Sequence, residues 1–199
     1  MSKIGITLNE VLRDFINRFE YIYGKYIDDS IDIEKNPVNS FDLIKYFSFE
    51  NTEAMNKFLY QDAALEIFGH ADELYDNLIV RLNSFILDMK DLYGHDIQII
   101  SREASTSIPA TFWFLSKTLC KCNNIKFVSN YEDKWDDVDI LITANPIALD
   151  CKPIDKISVK VNTTYNTDVK SDYTIESLFD FMNNDTLRNN VINNVNKNS

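Results

Sequence analysis

At Gly94 the spacing of apolar residues along this chain changes character. Before it, Leu12, Phe15, Ile16, Phe19, Ile22, Tyr23, Tyr26 and Ile27 recur at steps of three and four, the face of a helix that directly follows the opening run Ile4-Gly5-Ile6. Met55, Phe58 and Leu59, then Leu74, Leu78, Leu82, Phe85, Ile86 and Met89, repeat that spacing. Asn36-Pro37 interrupts it, and Ser40 is a candidate cap for a short helix through Phe47. Residues 13–95 are therefore expected to be wholly helical. After Gly94 come four short β-branched runs, 96–101, 125–129, 138–143 and 157–161, each bounded by polar or turn residues. A helix follows the first run, with Ser107 as its cap, Pro109 in its first turn, and Phe112, Trp113, Leu115 and Leu119 as its candidate buried side. Strands alternating with helices predict an α/β fold with a mostly parallel sheet flanked by helices. Its ligand crevice belongs at the carboxyl ends of the strands.

A chain of 199 residues with 45% hydrophobic content buries one core plus a modest insertion. No run approaches the roughly eighteen apolar residues of a membrane span, and MSKIGITLNE lacks the long apolar segment of a secretory signal. The expectation is a soluble protein made in the cytoplasm, with no membrane partner. A formal charge of −11 and a pI near 4.6 argue against a phosphate-backbone binder, so no nucleic-acid partner is expected. Cys120, Cys122 and Cys151 are odd in number, and C-x-C without nearby histidines is poor zinc spacing, so these are expected to be idle thiols. The asparagine-rich tail, residues 183–199, has few apolar anchors. Alone it should fray, so a partner protein is expected to order it, and the fold itself should be complete by Met182.

Polar residues close the strand runs in a particular order: Thr7 and Asn9 after the first, Ser101 after the second, Lys134 before the fourth, and Thr143-Ala144-Asn145 at its end. This order resembles the haloacid dehalogenase superfamily, in particular its phage and bacterial deoxyribonucleotidase-like branch. That pattern is an apolar strand ending in D-x-D, a strand ending in Ser or Thr, a lysine, and a strand ending in paired aspartates. KIGITLNEVL stands at the first, DIQIISRE at the second, and DKWDDVDILITANP at the last two. The resemblance implies a Rossmann-like core over residues 1–12 and 96–182 and a helical cap, residues 13–95, inserted after the first strand.

The resemblance also implies roles that these residues cannot perform. In the family the first aspartate attacks phosphorus, the second donates a proton, and the paired aspartates help hold Mg²⁺. Thr7, Asn9, Thr143 and Ala144 stand in their places. A hydroxyl, an amide and a methyl group make a poor magnesium site, so no metal and no cofactor are expected. Asp139, four residues before Thr143, lies roughly 13 Å away at the other end of its strand. Glu10, and a turn later Asp14, are the acids nearest the elbow, and the bland reading of both is a solvated first-turn acid. Thr7 has no base to activate it, since His70 falls in the helical region and His95 in a turn. Ser101 and Lys134 match phosphate-holding positions, and residual phosphate binding there stays open beside the reading of Lys134 as a surface lysine near Asp136 and Asp137.

The leading expectation is a pseudoenzyme serving assembly. The segment KISVKVNTTYNTDVKSDYTIESL looks like the tail of degenerate family members of crAss-like phages, which implies a virion protein of the tail or connector region, made in the host bacterial cytoplasm and partnered by other virion proteins. Two rivals stay open: a 5′(3′)-nucleotidase-like phosphohydrolase with a rearranged site, and a nucleotide- or phosphate-binding protein without turnover.

Overall fold

The structure, a computed structural model, describes residues 1–104 and 106–198, with side chains through Val195. Its centre is a sheet of six parallel strands in the order β3-β2-β1-β4-β5-β6. These are β1 (Lys3–Thr7), β2 (Asp96–Arg102), β3 (Ile125–Val128), β4 (Ile140–Thr143), β5 (Ile157–Val161) and β6 (Tyr173–Ile175). All but β6 coincide with the apolar runs. The three residues of β6 are flanked by Asp172 and Glu176 and carry no such signal; pairing with β5 makes them a strand.

Strand alternation divides the interior. Ile4, Ile6, Ile97, Ile99, Ile140 and Ile142 face the main core, and Ile100 and Leu141 face a smaller cluster with Val128, Trp135, Val138 and Ala148. Gly5 lies on that second face of the central strand. A Cβ there would stand 2.7 Å from Ile100 Cδ1 and 3.0 Å from Leu141 Cδ1, so any larger residue would have to push these side-chain ends aside.

The expected cap, residues 13–95, divides in two. Helix α1 (Phe15–Tyr26), the short helix α2 (Thr52–Lys57) and two wider helical turns, Phe58–Asp62 and Leu65–Gly69, enclose their own aromatic cluster of Phe15, Phe19, Tyr23, Phe47, Phe58 and Phe68. Helix α3 (Leu78–Asp91) does not join it: Leu78, Ile79, Leu82, Phe85 and Met89 pack in the main core beside the strands. Nor is the lobe wholly helical, since residues 28–42 are turns and extended chain and Leu43–Lys45 is a single 3₁₀ turn begun at Asp42 rather than at Ser40.

The helix after β1 also starts late. Leu8 carbonyl accepts from the N–H groups of Val11, Leu12 and Arg13 at 3.3, 2.8 and 2.9 Å, which folds residues 8–13 into a tight elbow and sends Leu8, Val11 and Leu12 into the main core. Glu10 takes φ +58° to close it.

Helix α4 (Ile108–Lys117) begins at Ser107 with Pro109 in its first turn, as expected, but on a different face. Ala110, Thr111, Phe114 and Leu115 are buried, whereas Phe112 and Trp113 are each 50% exposed and Leu119, beyond its end, 71%. Two constraints outweigh the apolar count: the lobe's Gly69 sits against Ala110 and Trp113, and Thr111 is bonded into a buried polar network described below.

Beyond the short helix α5 (Pro146–Asp150), α6 (Leu178–Asn183) and α7 (Asp185–Asn198) complete the main core. The expected fraying tail is thus a covering helix. Val191, Ile192 and Val195 line one stripe of α7 and pack into the core. Arg188 donates to the carbonyls of Phe181 and Met182 at 3.3 and 2.9 Å, tying α7 to the end of α6. Ser199 lies outside the described residues.

Candidate functional site

The carboxyl ends of β1 and β2 and the turn before β4 open into a cavity of about 290 Å³ beneath the lobe. Thr7, Asn9, Ser101 and Lys134 line it from the core, and Phe15, Leu59 and Tyr60 from the lobe. The lobe is tied down over the crevice by Thr106 Oγ1 donating to Tyr60 carbonyl, and by Phe41, whose ring lies 6.0 Å from that of Tyr131 and 5.8 Å from that of Tyr165. Thr143 and Ala144 do not line the cavity. The register pairing Ile6 with Ile142 sets Thr143 beside Thr7, and Thr7 Oγ1 donates to Thr143 Oγ1 at 3.0 Å. Ala144 is buried, its carbonyl accepting from Asn166 Nδ2 at 2.9 Å. Asn145 reaches the cavity but its side chain caps α5 through Ala148 N–H at 2.9 Å.

Lys134 is buried, not a surface lysine. Asp136 and Asp137 pair instead with Lys126, at 3.5 and 3.2 Å. Among the described residues the Lys134 ammonium has no hydrogen-bond or ion-pair partner, and it lies over the Tyr131 ring, 5.3 Å from its centroid. Burial pushes its pKa down to about 8, the Arg102 guanidinium pushes the same way, and Glu103 opposes them.

Two residues that carried no sequence signal organise the floor. The Arg13 side chain is wholly buried and forms an ion pair with Glu103 at 2.8 Å. It also donates to Asn9 Oδ1 at 2.9 and 2.6 Å, to Thr111 Oγ1 at 2.9 Å and to Phe68 carbonyl at 3.2 Å. Glu103 accepts in addition from Ser101, Ser107 and Thr111 at 2.9, 2.6 and 2.9 Å. This network joins the elbow, the end of β2, α4 and the lobe. The Ser101 proton is committed to Glu103, so the serine has no donor left for a ligand unless that bond opens.

Glu10, expected as a solvated first-turn acid, does cap α1: its Oε1 accepts from the N–H groups of Phe15 and Ile16 at 2.9 Å each. Its carboxyl is enclosed, however, and burial raises its pKa to about 7, with Asp14 adding to the rise and the two N–H bonds and Arg13 opposing it. Asp14 has one oxygen on Asn17 at 2.9 Å and the other buried without a partner. Asp139 lies at the opposite end of β4, accepting from Lys3 N–H at 2.8 Å. His70 stands 6.1 Å from the exposed Trp113, and His95 accepts from Ser2 N–H at 3.1 Å, both away from the crevice. Burial pushes the Cys120 thiol up to about 11, and Cys151 is exposed.

No family model matches the sequence, and no curated protein does. Solved structures do match. A haloacid dehalogenase-like hydrolase from Burkholderia xenovorans superposes with a TM-score of 0.56 at 9% identity, over 93% of this chain and 96% of that one. A dehalogenase in an intermediate complex gives 0.54 at 10% identity, over 91% and 95%. The chain therefore has the α/β fold of haloacid dehalogenase-like hydrolases.

The resemblance drawn from the strand-end residues implies a divalent metal there, and the donor set does not fit one. The Asn9 carbonyl oxygen is taken by a guanidinium, the Thr7 hydroxyl points to Thr143, Ala144 offers a methyl group, and Glu10 is turned to backbone N–H groups. Among the described residues no group of three or more His, Cys, Asp or Glu side chains is arranged to hold a metal ion.

Proposed function

We propose that this chain is a non-catalytic member of the haloacid dehalogenase superfamily whose crevice binds a small anionic ligand, a phosphate monoester above all, without metal and without turnover. One observation carries the reading: a largely buried lysine, Lys134, whose ammonium has no counter-charge bonded to it among the described residues, on the wall of the cavity beneath the lobe. A buried cation costs several kcal/mol unless something pairs with it, and an anion in the cavity would supply the partner. Arg102 lines the same cavity and adds a second positive charge. Hydrolysis is disfavoured because the elbow offers Thr7 and Asn9, both engaged, where a nucleophile and an acid would be needed. The deoxyribonucleotidase-like resemblance favours a nucleotide as the phosphate monoester.

Assembly is the second reading, favoured by the exposed apolar residues Leu65 and Trp113 beside Pro109. On it the chain is a phage virion component whose neighbours cover that patch, and the crevice is vestigial. Calorimetric titration with inorganic phosphate and deoxynucleoside monophosphates decides between them: saturable binding lost in Lys134→Met supports the first. Hydrolysis of those monophosphates that needs Mg²⁺, stops with EDTA and is lost in Glu10→Gln would overturn both.

A further inference from the structure

We propose that Lys134 is an imine-forming amine that captures a small aldehyde or ketone carrying an anionic group. This rests on the reading of the crevice as a ligand site and names the ligand's reactive part. The geometry sets Lys134 apart. Lys160, also buried, spends its ammonium on the carbonyls of Asn166, Thr167 and Val169 at 3.2, 3.5 and 2.9 Å. Among the described residues Lys134 has no acceptor; it lines the cavity and has a guanidinium, Arg102, on the same wall. A desolvated lysine beside a second cation is the arrangement that raises the neutral, nucleophilic fraction of an amine near pH 7 far above that of an ordinary lysine, and its pKa near 8 agrees. The charged and titratable groups around it are Arg102, Glu103 and Tyr131, and elsewhere on the cavity wall Glu10, Asp42, Tyr60 and Tyr165.

The step balances without an oxidant or a metal. The neutral amine of Lys134 adds to the carbonyl carbon, forming the C–N bond while the C=O π pair moves to oxygen. The two amine protons pass to that oxygen, which leaves as water, and the nitrogen lone pair forms C=N. Arg102 would hold the ligand's anionic group, and the lobe's enclosure limits the water that would hydrolyse the imine.

The test is reductive trapping on the full chain. Protein is incubated with glyoxylate and sodium cyanoborohydride at pH 7, digested, and mapped by mass spectrometry. The expected result is a single early adduct on Lys134, formed at least about tenfold faster than on any exposed lysine, because an ordinary lysine is almost wholly protonated at that pH. Lys134→Arg, which keeps the charge, should abolish it. Adducts spread over exposed lysines with Lys134 no faster than they are would overturn the proposal on wild-type protein alone. Uncharged propionaldehyde should label Lys134 more slowly, and equal rates would overturn the anionic part of the ligand class. Phosphate titration run in parallel separates the two readings: phosphate binding with no Lys134 adduct refutes only the imine, and an adduct without phosphate binding supports the imine and refutes the phosphate reading.

Discussion

Replacing Glu10 by glutamine should stabilise this protein at pH 8 and leave it nearly unchanged at pH 5. The acid's Oε1 accepts from two N–H groups at the start of α1, a job that a glutamine carbonyl oxygen performs equally well. What glutamine removes is the buried negative charge. The pKa of Glu10 rises from 4.5 to about 7, first because of burial and then because of Asp14. A shift of that size corresponds to roughly 3 kcal/mol, which some remaining solvent contact at this partly buried residue lowers to about 2 kcal/mol. The sign follows from proton counting. Between pH 4.5 and 7 the folded protein holds the Glu10 proton more tightly than the unfolded chain, so the group's contribution is fully present below pH 4.5 and is lost as pH rises through 7. Urea unfolding of both proteins at pH 5 and pH 8 reads out this term together with its coupling to Asp14, since the two proteins differ at no other ionisable group. The expected difference between the two pH values is about 2 kcal/mol in favour of Glu10→Gln. Parallel stabilities at both values, or an equal loss at both, would refute the burial of an ionisable charge at the elbow.

Three further outcomes follow from the same contacts. Arg13→Met leaves Glu103 buried without its cation and should cost about 3–5 kcal/mol in urea unfolding, much of it recovered in the double variant with Glu103→Gln. Deleting residues 185–199 removes Val191, Ile192 and Val195 from the main core, each worth roughly 1.5–3 kcal/mol, and by circular dichroism the shortened chain should be largely unfolded. Phosphate binding should take up a proton and weaken as pH passes through 8, where Lys134 loses its charge, as calorimetry at pH 7 and 9 in buffers of different ionisation enthalpy will show.

The sheet was legible because parallel strands buried on both faces are written as continuous β-branched runs, and five of the six strands here are such runs. Helix α7 was not, for a physical reason. Its buried stripe needs only Val191, Ile192 and Val195, while Asn189, Asn190 and Asn193 are exposed. Composition averages over faces, and packing does not. Helix α4 misled in the opposite sense: its largest apolar residues, Phe112 and Trp113, are half-exposed, while the small Ala110 and polar Thr111 are buried because the lobe and the Arg13 network land there. The periodicity of α3 was right, but period alone cannot say whether a helix covers the lobe or the sheet.

At the site, strand-end positions were legible and charges were not. Thr7, Asn9 and Ser101 could be placed because strands end where apolar runs end, whereas the Arg13–Glu103 pair joins residues ninety positions apart in sequence, which no local pattern announces. The omission matters for the sign of the crevice. Arg13 and Glu103 cancel each other, Asp42 at the rim pairs with Lys45 at 3.6 Å, and Glu10 is half-protonated near neutral pH, which leaves Lys134 and Arg102 as the uncancelled charges of the cavity. A chain of net charge −11 thus places two cations, Lys134 and the exposed Arg102, on one cavity wall. The surrounding negative field is screened within roughly 10 Å at 0.1 M salt, while the enclosed ammonium is screened far less, so an anion that reaches the crevice is governed by Lys134 and not by the chain's overall charge. Low isoelectric point therefore excludes a polyanion spread over the surface without excluding a small anion held inside.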